Sequence, residues 1–164
     1  MLPTIGPVVV TSSALAGDRE RALALTPVSR ETADRLDAFV DLLLRWQEKM
    51  NLIAPSTIPE LWTRHIADSL QLLPLAPSAR RWVDFGTGGG FPGLVLACAL
   101  REKQGAVVHL VESNGKKASF LRQAARQLCV PALVHSQRIN DFVASFKDSA
   151  DVVTARAVAP LREL

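Results

Sequence analysis

The chain has 164 residues, of which 48% are hydrophobic, and its mean hydropathy is +0.16. That is enough for one domain with a real core, too little for two ordinary domains, and too apolar for a disordered chain. Nineteen basic residues against 16 acidic ones give a net charge of +3, which permits an anionic partner without requiring one.

Residues 1–27 mix small residues, prolines and polar residues without a stable period and predict a mobile N-terminal tail. The opening lacks a positive n-region, and Pro3 and Pro7 interrupt its apolar run, which argues against an export signal. No apolar run reaches the roughly 18 residues of a membrane span. A single domain is expected over 28–164, with N-terminal helices over 28–76 and a sheet over 80–164. Ser29 is placed to cap a first helix carrying Leu36, Phe39, Val40 and Leu43 at helical spacing. After a loop from Asn51 to Ser56, a second helix, ELWTRHIADSLQLL, runs to Pro74.

Short β-type runs, WVDF, AVVHLVE, ALVHSQ and DVVTARAV, then alternate with helical stretches at 92–102, 115–128 and 140–147. This order predicts an α/β fold, a Rossmann-like parallel sheet with helices on both faces. Doubly wound sheets usually carry five or more strands, so the C-terminal strands are expected to be missing. An unpaired edge beside DVVTARAV follows, with self-association or marginal stability as its consequence. Cys98 and Cys129 show no metal-type or redox spacing and read as buried free thiols in a reducing, cytoplasmic setting.

The segment RWVDFGTGGGFPGLVLACAL carries the chemistry. Glycines between a strand and a helix let a ligand approach the backbone. Gly86, Gly88 and Gly90 follow Asp84 in D-x-G-x-G-x-G, while Gly88, Gly90 and Gly93 match GxGxxG, and neither pattern is decisive alone. A carboxylate two residues before the first glycine would repel a diphosphate, yet it favours the sulfonium and ammonium of S-adenosylmethionine. Glu112, ending the second strand, is placed to take ribose hydroxyls in either ligand class. The plainer alternative for Asp84 and Glu112 is a pair of solvated strand ends or helix caps.

Beyond the glycines, NL at 51–52, RHIADSL at 64–70, DFGTGGGFPG at 84–93, VESNGKKASFLR at 111–122 and ARAVAPL at 155–161 resemble the RsmG (GidB) family. The resemblance implies a Rossmann-like, metal-free, S-adenosylmethionine-dependent enzyme that methylates N7 of a guanosine in the 530 loop of 16S ribosomal RNA. It implies a cofactor site of Gly86, Phe91, Ile139, Asn140 and Arg156, with Glu112 on the ribose. The implied partner is 16S rRNA or the small ribosomal subunit, with no DNA or membrane partner and a monomeric full-length protein. Asn140 stands where many relatives have Glu, and Gly89 where Pro or Ala is frequent, which suggests a more flexible turn. The alternatives are a truncated, inactive nucleoside- or RNA-binding remnant and an NAD-dependent oxidoreductase.

Guanine N7 has an available lone pair and loses no proton on methylation, so no general base is required. Catalysis then reduces largely to positioning, and no catalytic residue stands out. The candidates are Arg156, at a strand tip, and His65 with Asp68, three apart on one helix; a solvated arginine and a local helix-face contact are the alternatives. Lys116, Lys117, Arg122, Arg126 and Arg138 could meet phosphates or form a solvated face. Trp46 and Trp62 fit core packing better than base stacking.

Overall fold

A computed structural model describes residues 12–156. Helix α1 (Ser12–Leu25) and helix α2 (Arg30–Gln47) come first. A helical run follows, made of a 3-10 turn (Pro55–Glu60), a π turn (Trp62–Ala67) and the short helix α3 (Asp68–Leu70). The remainder alternates strictly: β1 (Arg81–Phe85), α4 (Gly93–Ala99), β2 (Val107–Val111), α5 (Gly115–Gln127), β3 (Ala132–His135), α6 (Ile139–Ser145) and β4 (Val152–Ala155).

Helix α1 corrects the expectation of a mobile tail to residue 27; residues 1–11 lie outside the described residues. The helix was illegible because polar anchors, rather than an apolar stripe, hold it. Asp18 is 0% exposed and accepts hydrogen bonds from the Trp62 and Thr63 amides and the Thr63 hydroxyl, so it caps the π turn from outside. Arg19 grips Asp37 of α2 through two bonds, at 2.6 and 2.7 Å, while its guanidinium lies over the Trp62 ring. Helix α2 starts as its sequence implies, with Ser29 accepting from the Thr32 amide.

The sheet is parallel throughout, in the order β3-β2-β1-β4. Strand order grows outward from β1 to β3 and then returns past β1. With right-handed crossovers, α4 and α5 therefore cover one face and α6 the other. The burial agrees. Trp82, Val108 and Leu110 pack with α2, α4 and α5 in the main core, whereas Val83, Val111 and Phe142 form a small cluster beneath α6. Strand β4 pairs only with β1 among the described residues, and Val153 on it is 56% exposed. Among the described residues β4 is thus an edge of the sheet, in line with the unpaired edge expected beside DVVTARAV.

The cysteines differ from each other. Cys98 is buried in α4 and its thiol is pushed up to about 12 by that burial. Cys129 is exposed, correcting the expectation of two buried thiols, because α5 ends before it and the chain turns there through φ 50°. Trp46 packs edge-on against Phe120, and Trp62 is fully buried, as helical spacing with leucines implied.

Candidate functional site

The reversal of strand order puts the topological switch point at β1, and ligands of such sheets bind outside the carboxyl ends of the strands there. The glycine loop lies at that end. Gly86, Gly88 and Gly90 take φ values of 61°, 54° and 97°, conformations that L side chains rarely adopt. Gly93 is required by space instead: a Cβ there would stand 2.7 Å from Asp84 Oδ2 and would run into the Leu110 side chain. Gly89 is likewise not a slack turn, since its Cβ would meet the Leu52 carbonyl oxygen at 2.9 Å. The loop is pressed against the segment that follows α2.

Two strand-tip carboxylates hold this loop in different ways. Asp84 is 0% exposed and accepts from the Gly93 amide at 2.9 Å and the Thr154 hydroxyl at 2.8 Å, a pairing allowed by its register opposite Thr154 on β4. Burial pushes its pKa up to about 6, while hydrogen bonding and the Arg156 charge act in the other direction. The enclosed Thr87 hydroxyl lies close enough to favour the ionised carboxylate, but makes no hydrogen bond of good geometry. Asp84 is therefore enclosed and braces the loop from beneath, where the sequence suggested a carboxylate beside the ligand. Glu112 is 8% exposed; its two oxygens accept from the Gly88 amide at 2.9 Å and the Asn114 amide at 2.8 Å. A carboxylate has about four lone-pair sites, so Glu112 can accept two ligand hydroxyls as well.

A second group of side chains forms at the tip of β4. Arg156 donates from Nη2 to His65 Nδ1 at 2.9 Å and from Nη1 to Asp68 Oδ2 at 3.3 Å. Arginine only donates, so His65 Nδ1 is the acceptor and its proton sits on Nε2, which faces the Thr57 hydroxyl at 2.8 Å. Burial, then the charges of Arg156 and Arg64, lower the His65 pKa to about 4. His65 is neutral at pH 7 and its lone pair is already taken. The structure thus brings all three candidates together across 91 residues of sequence.

Phe91 joins the two groups. Its ring is nearly enclosed, packing on Phe39 with centroids 5.4 Å apart, beneath His65 at 4.9 Å and the Arg156 guanidinium at 5.5 Å. Ile139 packs in the small cluster under α6, and Asn140 is exposed at the start of α6, one strand beyond Glu112. Asp68, Gln71, Pro92, Thr154 and Arg156 line a cavity of about 370 Å³ beside the cluster. Sequence reasoning missed Thr154, whose role depends on register, and Gln47, whose amide clamps Leu52 and Ile53 to the end of α2.

Taken together, the parallel sheet, the glycine loop at its switch point and the acid on the neighbouring tip define a nucleoside-cofactor-binding α/β domain of the Rossmann-like kind. The donor set suits S-adenosylmethionine: Glu112 retains acceptors for a ribose, and the two carboxylates suit a cationic ligand while opposing a diphosphate. The fold is also that of a candidate O-methyltransferase from Klebsiella pneumoniae, with a TM-score of 0.57 at 17% identity over 86% of this chain and 59% of that one.

Residues 32–164 match the family model described as rRNA small subunit methyltransferase G, and the chain belongs to that family. It is 62% identical over 156 residues to the ribosomal RNA small subunit methyltransferase G of Bradyrhizobium sp. strain BTAi1, covering 95% of this chain and 70% of the relative. To the protein of the same name from Nitrobacter hamburgensis it is 63% identical over 149 residues, covering 91% of this chain and 57% of the relative. The chain thus spans little more than half of some curated relatives it matches. Among the described residues no helix is long and apolar enough to cross a membrane.

Proposed function

We propose that this protein is a cytoplasmic enzyme that methylates N7 of a guanosine in the 530 loop of 16S ribosomal RNA, within the small subunit or its assembly intermediates. When bound, S-adenosylmethionine supplies an electrophilic methyl on a sulfonium, which guanine N7 takes on a free lone pair with no proton to lose. The observation that carries this reading is the state of His65. It is neutral, and its lone pair is occupied by Arg156, which lines the cavity. A site whose histidine is committed to holding an arginine suits an acceptor that needs no base.

The residues then divide the work. Glu112 would hold the ribose while keeping the Gly88 and Asn114 amides satisfied. Gly86 and Gly88 would let the backbone approach the ligand, with Ile139 and Asn140 on the adenine side. Asp84 adds negative potential behind the sulfonium end. Arg156, held by His65 and Asp68 over Phe91, lines the cavity with its charge, where it would orient a nucleotide phosphate or guanine O6.

Calorimetric titration with S-adenosylhomocysteine and labelled-methyl transfer to small subunits lacking the modification test the reading. Saturable binding and a single methylated guanosine, located by mass spectrometry of ribonuclease fragments, are the expected results. Failure to bind the thioether, or methyl incorporation on another atom or nucleotide, overturns it.

A further inference from the structure

A groove of about 670 Å³ lies between α2 and α5, outside the site just described. Its apolar wall is Leu42, Trp46 and Met50 from α2 and the turn after it. Arg45, Lys49 and Lys116 supply its charge, and no acidic residue lines it. All three cations are exposed, and among the described residues none takes part in an ion pair. Trp46 is only half-buried: one ring edge meets Phe120 in the core while the residue also lines the groove. An aromatic wall under unpaired cations is the arrangement by which proteins hold single-stranded nucleic acid, bases against the ring and phosphates on the cations.

The position of the groove matters as much as its lining. Met50 lies two residues before Leu52, whose carbonyl abuts Gly89 of the glycine loop. Lys116 lies at the start of α5, whose cap Asn114 donates its own amide to Glu112. Both walls therefore end against the loop that bears the candidate cofactor site. A strand lying in the groove is led to that end of the sheet.

We propose that the α2–α5 groove is a second RNA subsite, seating a single-stranded segment that flanks the methylated nucleotide, with its phosphates on Arg45, Lys49 and Lys116. This rests on the reading of the chain as an RNA-directed enzyme. It adds the path by which the substrate reaches the site, and it assigns Trp46 a face for a base besides its packing role.

The test is fluorescence anisotropy with a labelled single-stranded 12-mer oligoribonucleotide across a salt series, on the wild-type chain and on R45Q/K49Q/K116Q. Each lost phosphate contact lowers the slope of log affinity against log salt by about 0.7, so a fall of about 2 is expected. The wild type should also show tryptophan quenching by the oligomer that Trp46→Phe removes, because Trp62 and Trp82, the other two tryptophans, are buried. An unchanged salt slope in the triple variant overturns the subsite. So does a wild type that binds no RNA, or one from which polyglutamate displaces the oligomer equally well, the latter marking a surface for acidic proteins. Titration of S-adenosylhomocysteine into the same proteins is expected to give equal affinities. No binding there, with the salt slopes as expected, would sink the methyl-transfer reading while leaving the RNA groove standing.

Discussion

The glycine loop and the Arg156 cluster are neighbours that share Phe91, yet they are built on opposite terms. In the loop the polar contacts are made by backbone amides: Gly93 donates to Asp84, Gly88 and Asn114 donate to Glu112, and Gly86, Thr87, Gly90 and Phe91 donate to the Val111 and Thr87 carbonyls. Those bonds form when the sheet forms, so the shape of the loop is a property of the fold. In the cluster the contacts run from side chain to side chain, Arg156 to His65 and Asp68, with Arg156 about one-third exposed and Asp68 nearly half. Such contacts can be remade when a substrate arrives. The loop is suited to a ligand common to every turnover and the cluster to the variable partner.

If that division holds, the largest effect belongs to Gly93→Val in the loop. Its Cβ would meet both Asp84 and Leu110, neither with room to yield. Overpacking of this kind costs about 3 kcal/mol or more when it also dislodges a buried carboxylate, so chemical denaturation should show a badly destabilised chain with no measurable S-adenosylhomocysteine binding. Gly88→Val has more space, with Gly86 O at 3.7 Å, but is strained at φ 54°. It should fold while losing the cofactor. Normal affinity in that variant would reduce the loop to a structural turn.

Next in size is Glu112→Ala, which should weaken S-adenosylhomocysteine about tenfold to hundredfold, the cost of losing hydrogen bonds to a charged group. Glu112→Gln keeps one acceptor oxygen, so it should fall between wild type and alanine. Arg156→Lys gives the counterpart in the cluster: one ammonium cannot reach His65 and Asp68 with the spread of a guanidinium. Methyl transfer should fall at least about tenfold with S-adenosylhomocysteine affinity within about threefold. An affinity loss as large as that of Glu112→Ala would move Arg156 to the cofactor side and erase the distinction.

The same contrast explains what the sequence disclosed. The loop was readable because strand, glycines and helix are consecutive, and because φ above zero and close approach leave a residue-type signature at each position. Helix α2 was readable from its apolar spacing and its serine cap. The members of the cluster could be nominated singly, but not joined, because joining Arg156 to His65 requires β4 to lie beside β1 and the π turn to lie over it. Asp84 was assigned to the ligand because its position is a strand tip; its burial depends on Thr154 and Gly93 closing over it from two other elements. Helix α1 escaped notice for a related reason, since Asp18 and Arg19 anchor it through tertiary partners rather than through any period of its own.

The smallest expected effect is one of pH, and it separates the two regions by sign. Asp84 ionises near 3.8 when unfolded and at about 6 in the folded chain. Between those values the native state binds the extra proton, so this contribution to stability is full at the acid end and fades as pH rises through 6. His65 runs the other way. It titrates near 6.5 when unfolded and at about 4 when folded, so its contribution is full above 6.5 and is lost as pH falls through 4. Over roughly pH 4 to 6.5 the two slopes oppose each other, and this pair should leave the wild-type stability curve shallow. Asp84→Asn removes one slope, and the variant's denaturation midpoint should climb with pH across that window relative to wild type. His65→Gln removes the other and should make the midpoint fall with pH. Parallel curves for the two variants would mean that neither group is held as its surroundings imply, and the contrast between a loop that raises the pKa of a buried carboxyl and a cluster that lowers that of an imidazole would be lost.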